Sequence, residues 1–248
     1  MRTINYKFIG KCLYFPEKKI VAIGDLHMGY EEMMHDTGVL FPVEQLKETI
    51  SEFDKIFKFI KKKYGNDGID KIILLGDLKH NFPYKKKEKF DILGLFEFFR
   101  KHVSNENIIV VKGNHDKIDI GKDFVNYYVD GDIVFVHGDK DFPELWKEEI
   151  KLIVMGHYHS AIILGDESEV KKEKYKCFLR GEYKGKSIVI VPSFLNILMG
   201  RDTRHYEGCN KDFKSIVKEK DRKNFEVFVV NDDLEEGALN FGKVKNLN

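Results

Sequence analysis

The sequence predicts a two-sheet α/β sandwich with helices outside, built as one domain over residues 1–248. Three observations carry this expectation. Five short runs rich in Ile, Val and Leu each stop at a polar cluster, the mark of strands buried on both faces. Long segments with apolar residues three and four apart fall between the early runs, as amphipathic helices require. Beyond residue 159, strand-like runs follow one another with no long helix between them, which calls for a second, more antiparallel sheet.

Taken in order, NYKFIGKCLYFPEKK (5–19) reads as an edge hairpin feeding the first buried strand. The five runs with their polar ends are KKIVAIGDLH (18–27), KIILLGDLKH (71–80), NIIVVKGNHD (107–116), DIVFVHGD (132–139) and KLIVMGHYH (151–159). A Gly or a polar residue stops each one and supplies turn geometry at the strand end. From Pro42 to Lys63, the residues Val43, Leu46, Ile50, Phe53, Ile56, Phe57 and Ile60 make one apolar helical face. Pro42 suits the first turn and Gly65 the stop. A second helix is expected over Lys87–His102, with Phe90, Leu93, Phe96 and Phe98 or Phe99 inward, and a short one over Pro143–Ile150. After the metal-site motifs of residues 25–159, the stretch 160–248 supplies AIILGD, KYKCFLRGEY, KSIVIVPSF and FEVFVV as strands. Gly200–Asn224 reads as a long loop with a helical turn.

Composition excludes several function classes. The chain carries 42 basic and 41 acidic side chains, a net charge of +1, so nucleic acid is not attracted to the molecule as a whole and would need a local basic patch. No stretch approaches the roughly 18 apolar residues of a membrane span, and MRTINYKFIG lacks the apolar core of a secretion signal. A soluble cytoplasmic protein is expected. Cys12, Cys177 and Cys209 form no CxxC pair and read as buried or semi-buried thiols. Lys, Glu and Ile are plentiful and Gln45 is the only glutamine, a bias that either a hot habitat or a skewed genome composition produces.

Singly, each polar cluster means little: a lone His at a strand end is usually a hydrogen-bonded surface residue, and Asn-His-Asp is a good turn. Their conjunction at five strand ends is what signifies, because loops at one edge of a buried sheet are where α/β proteins place ligand sites. Asp25, His27, Asp77, Asn114, His137, His157 and His159 are oxygen and nitrogen donors with no thiolate among them, which suits Mn, Fe, Zn or Ni and disfavours a structural zinc site. Seven residues serve two cations well only if one donor is shared, and a carboxylate can bridge. Cations so bridged lie ~3.5–4 Å apart, the spacing that clamps both oxygens of an in-line displacement.

The ordered series GDLH, GDLKH, GNHD, VHGD and GHYH strongly resembles the calcineurin-like metallophosphoesterases over residues 18–160. The resemblance implies their fold, a four-layer α-β-β-α sandwich of two mixed sheets. It implies that Asp25, His27 and His159 bind one metal, that Asn114, His137 and His157 bind the other, and that Asp77 bridges. It makes His115 the general acid on the leaving oxygen, with Asp116 orienting its imidazole and raising its basicity. Two departures stand out: GDLKH carries His80 where an acidic residue is common, and Asp139 follows His137-Gly138 where a second His is frequent. His80 is read as a contact to substrate phosphate, a hydrogen-bond partner of a neighbouring group or a surface residue, and Asp139 as a turn residue or acceptor.

GDLKH, CFLRGEY and VPSF…G are similar to the ICC-like phosphoesterases of archaea and bacteria, which extends the resemblance to about residue 200. That branch implies a manganese-dependent phosphodiesterase and, by analogy, association with DNA-processing proteins. Two divalent ions are expected, manganese first, with Ni, Zn, Fe or Mg as alternatives. The expected reaction is hydrolysis of a phosphodiester in a nucleotide or nucleic acid. The alternatives are a phosphomonoesterase acting on a nucleotide, small metabolite or phosphoprotein, and a non-catalytic scaffold of the same fold. The lysine clusters 61–63, 85–89 and 171–176 usually signify a solvated face. Lys85 follows the metal loop most closely and is the candidate contact to a polyanion, with Phe82 and Tyr84 to stack on a base and Arg201 and Arg204 to reach phosphate if their loop folds over the site.

Overall fold

The computed structural model describes residues 4–39, 44–81, 85–117, 119–165, 172–197, 199–204 and 213–247. The amino-terminal hairpin forms as expected: β1 (Lys7–Ile9) and β2 (Cys12–Phe15) pair antiparallel and deliver the chain to β3 (Ile20–Ile23), whose four residues are all buried. After α1 (Tyr30–Asp36) and α2 (Gln45–Tyr64), strands β4 (Lys71–Leu74) and β5 (Ile108–Val110) add in parallel beside β3, with α3 (Lys86–Arg100) between them. The first sheet therefore runs β1-β2-β3-β4-β5 and is mixed.

The second sheet is larger. It takes β6 (Tyr127–Asp130), β7 (Ile133–Val136), β8 (Leu152–Met155), β9 (Ser160–Gly165), β10 (Lys172–Tyr183), β11 (Lys186–Ile190) and β12 (Arg201–Asp202). Their order is β12-β9-β10-β11-β8-β7-β6. Strands β7, β8 and β11 are parallel neighbours and most of the remaining pairs are antiparallel. The long β10 changes partners along its length, pairing β9 through Lys172–Lys176 and then β11 and β13 (Glu226–Val229). β14 (Leu239–Lys243) closes that side against β13.

Three apolar layers hold these elements. Phe53, Ile56, Phe57 and Ile60 of α2, with Ile92, Leu95 and Phe99 of α3, pack on Val21, Ile23, Ile72 and Leu74 of the first sheet. Ala22, Ile73, Phe135, Val154, Phe178 and Val189 fill the space between the sheets. The outer face of the second sheet is covered by short pieces: a 3-10 turn at Pro143–Trp146, α4 (Glu219–Arg222) and a 3-10 turn at Val244–Asn246. The helix expected over 143–150 is thus one 3-10 turn.

Two helical expectations change in detail. The described part of α2 begins at Gln45, and Pro42 and Val43 lie outside the described residues. In α3 the buried stripe runs through Glu88, Ile92, Leu95 and Phe99, so Phe90 is 60% exposed rather than inward. The stretch 200–224 contains β12 and α4, and its residues 205–212 lie outside the described set. Cys12 and Cys177 are buried free thiols whose burial pushes their pKa up, and Cys209 is not among the described residues. No helix among the described residues is long and apolar enough to cross a membrane.

The sheets meet where β3 ends. Gly24 forms a bridge with Ser193, and a methyl group at Gly24 would sit 2.5 Å from the Pro192 carbonyl oxygen, so only glycine allows this approach. The carboxyl-terminal ends of β3, β4, β5, β7 and β8 thereby converge.

Candidate metal centre

The polar clusters that end these five strands lie together. His27, Asp77, His157 and His159 all have positive φ, between 44° and 65°, so the chain turns sharply at the donor residue itself. Asp and His enter that left-handed region more readily than most side chains, and such strain concentrates at functional sites. Gly113 lets the GNHD loop lie against the GD loop, since a methyl there would overlap the Asp77 amide and carboxylate.

Two donor groups result, with Asp77 common to both. In the first, donor atoms of Asp25, His27, Asp77 and His159 lie within 4.8 Å of one another; in the second, those of Asp77, His137 and His157 do. Asn114 joins the second through its Oδ1, 3.1 Å from His137 Nε2. Asp77 Oδ2 is 3.8 Å from His27 Nε2 and 3.5 Å from His137 Nε2, while Oδ1 accepts the His115 amide at 2.9 Å. One oxygen, not two, therefore faces both groups.

Hydrogen bonds assign the tautomers. His137 Nδ1 donates to the Leu75 carbonyl at 2.8 Å, leaving Nε2 as a lone-pair donor to metal. His157 Nε2 donates to the Lys214 carbonyl at 2.8 Å, leaving Nδ1, which lies 3.1 Å from His137 Nε2. His27 Nε2 and His159 Nε2 are 3.0 Å apart. Neutral His137 and His157 rings so fixed face each other with bare nitrogens that repel at this distance, and a cation shared between them resolves the conflict. The donor set fits a dinuclear divalent metal site on this ground.

Charge in the cluster follows from burial and mutual influence. Burial works to raise the Asp25 carboxyl, but the imidazoles of His159, His137 and His27 outweigh it and hold the group below the usual carboxylate range. Burial, aided by the Asp25 charge, pushes Asp77 up to about 7 against the pull of His137. Burial, then the neighbouring imidazoles, lowers His27 well below its ordinary value and His157 to about 3, so both are neutral at pH near 7, the form in which an imidazole can bind a metal. His137 is opposed by burial yet raised by the carboxylates of Asp77, Asp25 and Asp139.

His115 and His80 sit beside this cluster. The His115 ring lies 5.2 Å from that of His27 and stacks on His80 at 5.7 Å, and its Nδ1 donates to the His80 carbonyl at 2.8 Å. His80 Nδ1 is 3.4 Å from His27 Nδ1, and its ring meets Tyr30 edge-on at 4.8 Å. Burial, then His115, lowers His80 to about 4. Two buried groups fix the His80 loop from below: Glu88 Oε1 accepts the His80 and Asn81 amides at 2.9 Å, and Lys79 lies 3.7 Å from Glu88 Oε2.

The expectation that Asp116 orients the His115 ring is not met. Its Oδ2 accepts from the Asp77 and Gly113 amides at 2.7 and 2.9 Å, and its Oδ1 from the Leu78 amide at 2.8 Å. The buried carboxylate thus ties two loops together, and a main-chain carbonyl orients the imidazole. The substrate contacts suggested for Lys85 and Arg201 are also engaged elsewhere: Lys85 Nζ pairs with Asp36 at 2.6 Å, and the Arg201 guanidinium lies 4.3 Å over the Phe213 ring. Phe213 in turn stacks on His157 at 4.6 Å, so Arg201 stands one ring away from the centre. Arg204 pairs with Asp202 at 3.0 Å, and Phe82 and Tyr84 lie outside the described residues.

Sequence reasoning missed Phe213 and Lys214, which fix His157 and belong to no motif, and it gave Ser193 and Phe194 of the VPSF motif no role, although they hold the Asp25 carbonyl. A cavity of about 1380 Å³ lies between α2, β10 and β14, and none of the seven donor residues lines it.

Residues 18–187 match the model of the calcineurin-like phosphoesterases. The fold is similar to that of the nuclease MPE of Pseudomonas putida, with a TM-score of 0.56 and 14% identity over 91% of this chain and 97% of that one. A conserved Streptococcus pneumoniae protein, itself a predicted phosphoesterase, aligns over 90% of this chain and 97% of its own at 13% identity, with a TM-score of 0.33. No curated protein matches the chain.

Proposed function

The chain belongs to the calcineurin-like phosphoesterase family, and on that premise we propose that it hydrolyses a phosphodiester of nucleotide or nucleic-acid type with two divalent cations, manganese foremost. The observation that carries the proposal is the single oxygen Asp77 Oδ2 facing both donor groups, with the His115 ring alongside. Asp25, His27 and His159 hold one cation in this reading, and Asn114, His137 and His157 the other. When bound, the pair supplies Lewis acidity that activates water for in-line attack and shares the charge gathering on the phosphoryl oxygens.

The chain's own groups supply the rest. His115 Nδ1 is committed to the His80 carbonyl, so its Nε2 carries the proton given to the leaving oxygen. His80, between Tyr30, His27 and His115, is the side chain best set to touch the ester. The preference for a diester rests on the resemblance to ICC-like enzymes and on the nuclease of similar fold. DNA-processing partners belong to the same reading on the branch resemblance alone, and a cytoplasmic setting on the composition of the sequence.

The test is turnover of bis-p-nitrophenyl phosphate against p-nitrophenyl phosphate by protein stripped of metal and reloaded with Mn, Ni, Zn or Mg. Faster turnover of the diester with Mn is expected. His115→Ala should lower kcat by about 10²–10⁴ while leaving metal content unchanged. A monoester preference would replace the substrate class, and turnover indifferent to metal would overturn the mechanism.

A further inference from the structure

We propose that Lys11 and Lys176 are positioning residues for Asp25, holding it at the seam of the two sheets so that the first donor group keeps its shape; this rests on the two-cation reading above. Both lysines are nearly inaccessible, at 4% and 8% exposure, although burying an ammonium is costly. They come from unrelated elements, Lys11 from the turn between β1 and β2 and Lys176 from β10. Their targets are adjacent. Lys11 Nζ donates to the Phe194 carbonyl at 2.7 Å, to Glu52 Oε2 of α2 at 2.7 Å and to Asn196 Oδ1. Lys176 Nζ donates to the Ser193 carbonyl at 2.9 Å.

Ser193 and Phe194 are the two residues that hold the Asp25 main chain. Ser193 Oγ and the Phe194 amide both donate to the Asp25 carbonyl, at 3.1 and 3.0 Å. Phe194 is packed further by its stack on Phe53 at 3.9 Å and by the Lys11 ammonium 4.4 Å from its ring. Lys11, paired with Glu52, and Lys176, whose pKa burial lowers to about 7, therefore clamp consecutive carbonyls of the segment that suspends Asp25. Asp25 is also tied to the other sheet through its carboxylate, which accepts the His157 amide at 3.0 Å. A small shift at 193–194 would move Asp25 relative to His159, whose Nε2 is 3.4 Å from Asp25 Oδ1. The second group feels that shift less directly: its side chains are fixed by the Leu75 and Lys214 carbonyls and by the His115 amide on Asp77, and its link to Asp25 runs through the His157 amide.

The experiment is a Mn²⁺ titration of metal-stripped full-length protein, followed by calorimetry and by the exchange-coupled signal in electron paramagnetic resonance. Lys176→Met and Lys11→Met should weaken one Mn²⁺ site by about ten- to a hundredfold, with the coupled signal lost and the other site weakened less. Lys176→Arg should restore the coupled signal. If the methionine variants do not fold, Ser193→Ala, which keeps both lysines and removes one hydrogen bond to the Asp25 carbonyl, decides by the same readout. Folded variants with two wild-type sites would overturn the inference alone, as would an equal loss at both sites accompanied by a lower Tm. Wild-type protein that takes up fewer than two Mn²⁺ would overturn the two-cation reading, and the inference with it.

Discussion

Replacing Asp116 by Asn changes almost no volume and exchanges one carboxylate oxygen for an amide nitrogen. That nitrogen must face main-chain N–H donors, because both Asp116 oxygens accept from backbone: Asp77 and Gly113 on Oδ2, Leu78 on Oδ1. Hydrogen bonds to a charged acceptor contribute about 1.5–3 kcal/mol each, and a buried donor left unsatisfied costs about 1–3 kcal/mol. Losing one such bond and stranding its N–H gives a destabilisation of about 2.5–6 kcal/mol, a large part of the ~5–15 kcal/mol that holds a typical domain. For a domain of this size, Tm should fall on the order of 10 °C. Thermal unfolding by circular dichroism, with and without Mn²⁺, measures it. A variant that melts with the wild type but shows a displaced pH–rate profile would refute this account and return Asp116 to the role of partner for the His115 ring.

Two further outcomes follow from the shared carboxylate. Asp77→Asn should leave the protein with no tightly held manganese, whereas Asp25→Asn should leave one equivalent, as elemental analysis after desalting would report; one equivalent retained by Asp77→Asn would rule out a common oxygen. Because Asp77 lies near 7 without metal and His137 is raised, a cation must displace protons below about pH 7. The sign is that protonated Asp77 accumulates as pH falls, so Mn²⁺ affinity weakens from about pH 8 to about pH 6, where a carboxylate near its ordinary value of about 4 would leave it flat. Calorimetry in buffers of different protonation enthalpy counts the released protons, and none at about pH 6 would contradict the assignment.

The features legible in the sequence were those with a short repeat or a local chemical cue. Buried strands advertise themselves by unbroken Ile, Val and Leu, and β3, β4, β5, β7 and β8 lie where those runs are. Donor residues directly after such runs were legible because a parallel strand end and a ligand loop are consecutive in the chain. Strands β6 and β14 were not, since YYVD and LNFGK are half or fully exposed and carry no apolar period. In α3 the abundance of Phe hid the register: Phe90 looks as inward as Phe99 until the helix is laid on the sheet. Long-range polar contacts were equally silent. Asp116 was assigned to its neighbour in sequence, while its partners include the loop that carries Asp77, and Lys11 meets Phe194 across most of the chain. Charge runs misled for the opposite reason, because Lys85 finds Asp36 before it finds any ligand.

The two donor groups each draw on both sheets: Asp25, His27 and Asp77 with His159 in one, Asp77 and Asn114 with His137 and His157 in the other. Neither set exists until the sandwich has closed, which makes cation capture a late event in folding. Interactions absent from the transition state slow unfolding and leave the folding rate nearly unchanged. A bound divalent cation should therefore act on this molecule as a latch, lengthening the lifetime of the native state far more than it hastens its formation.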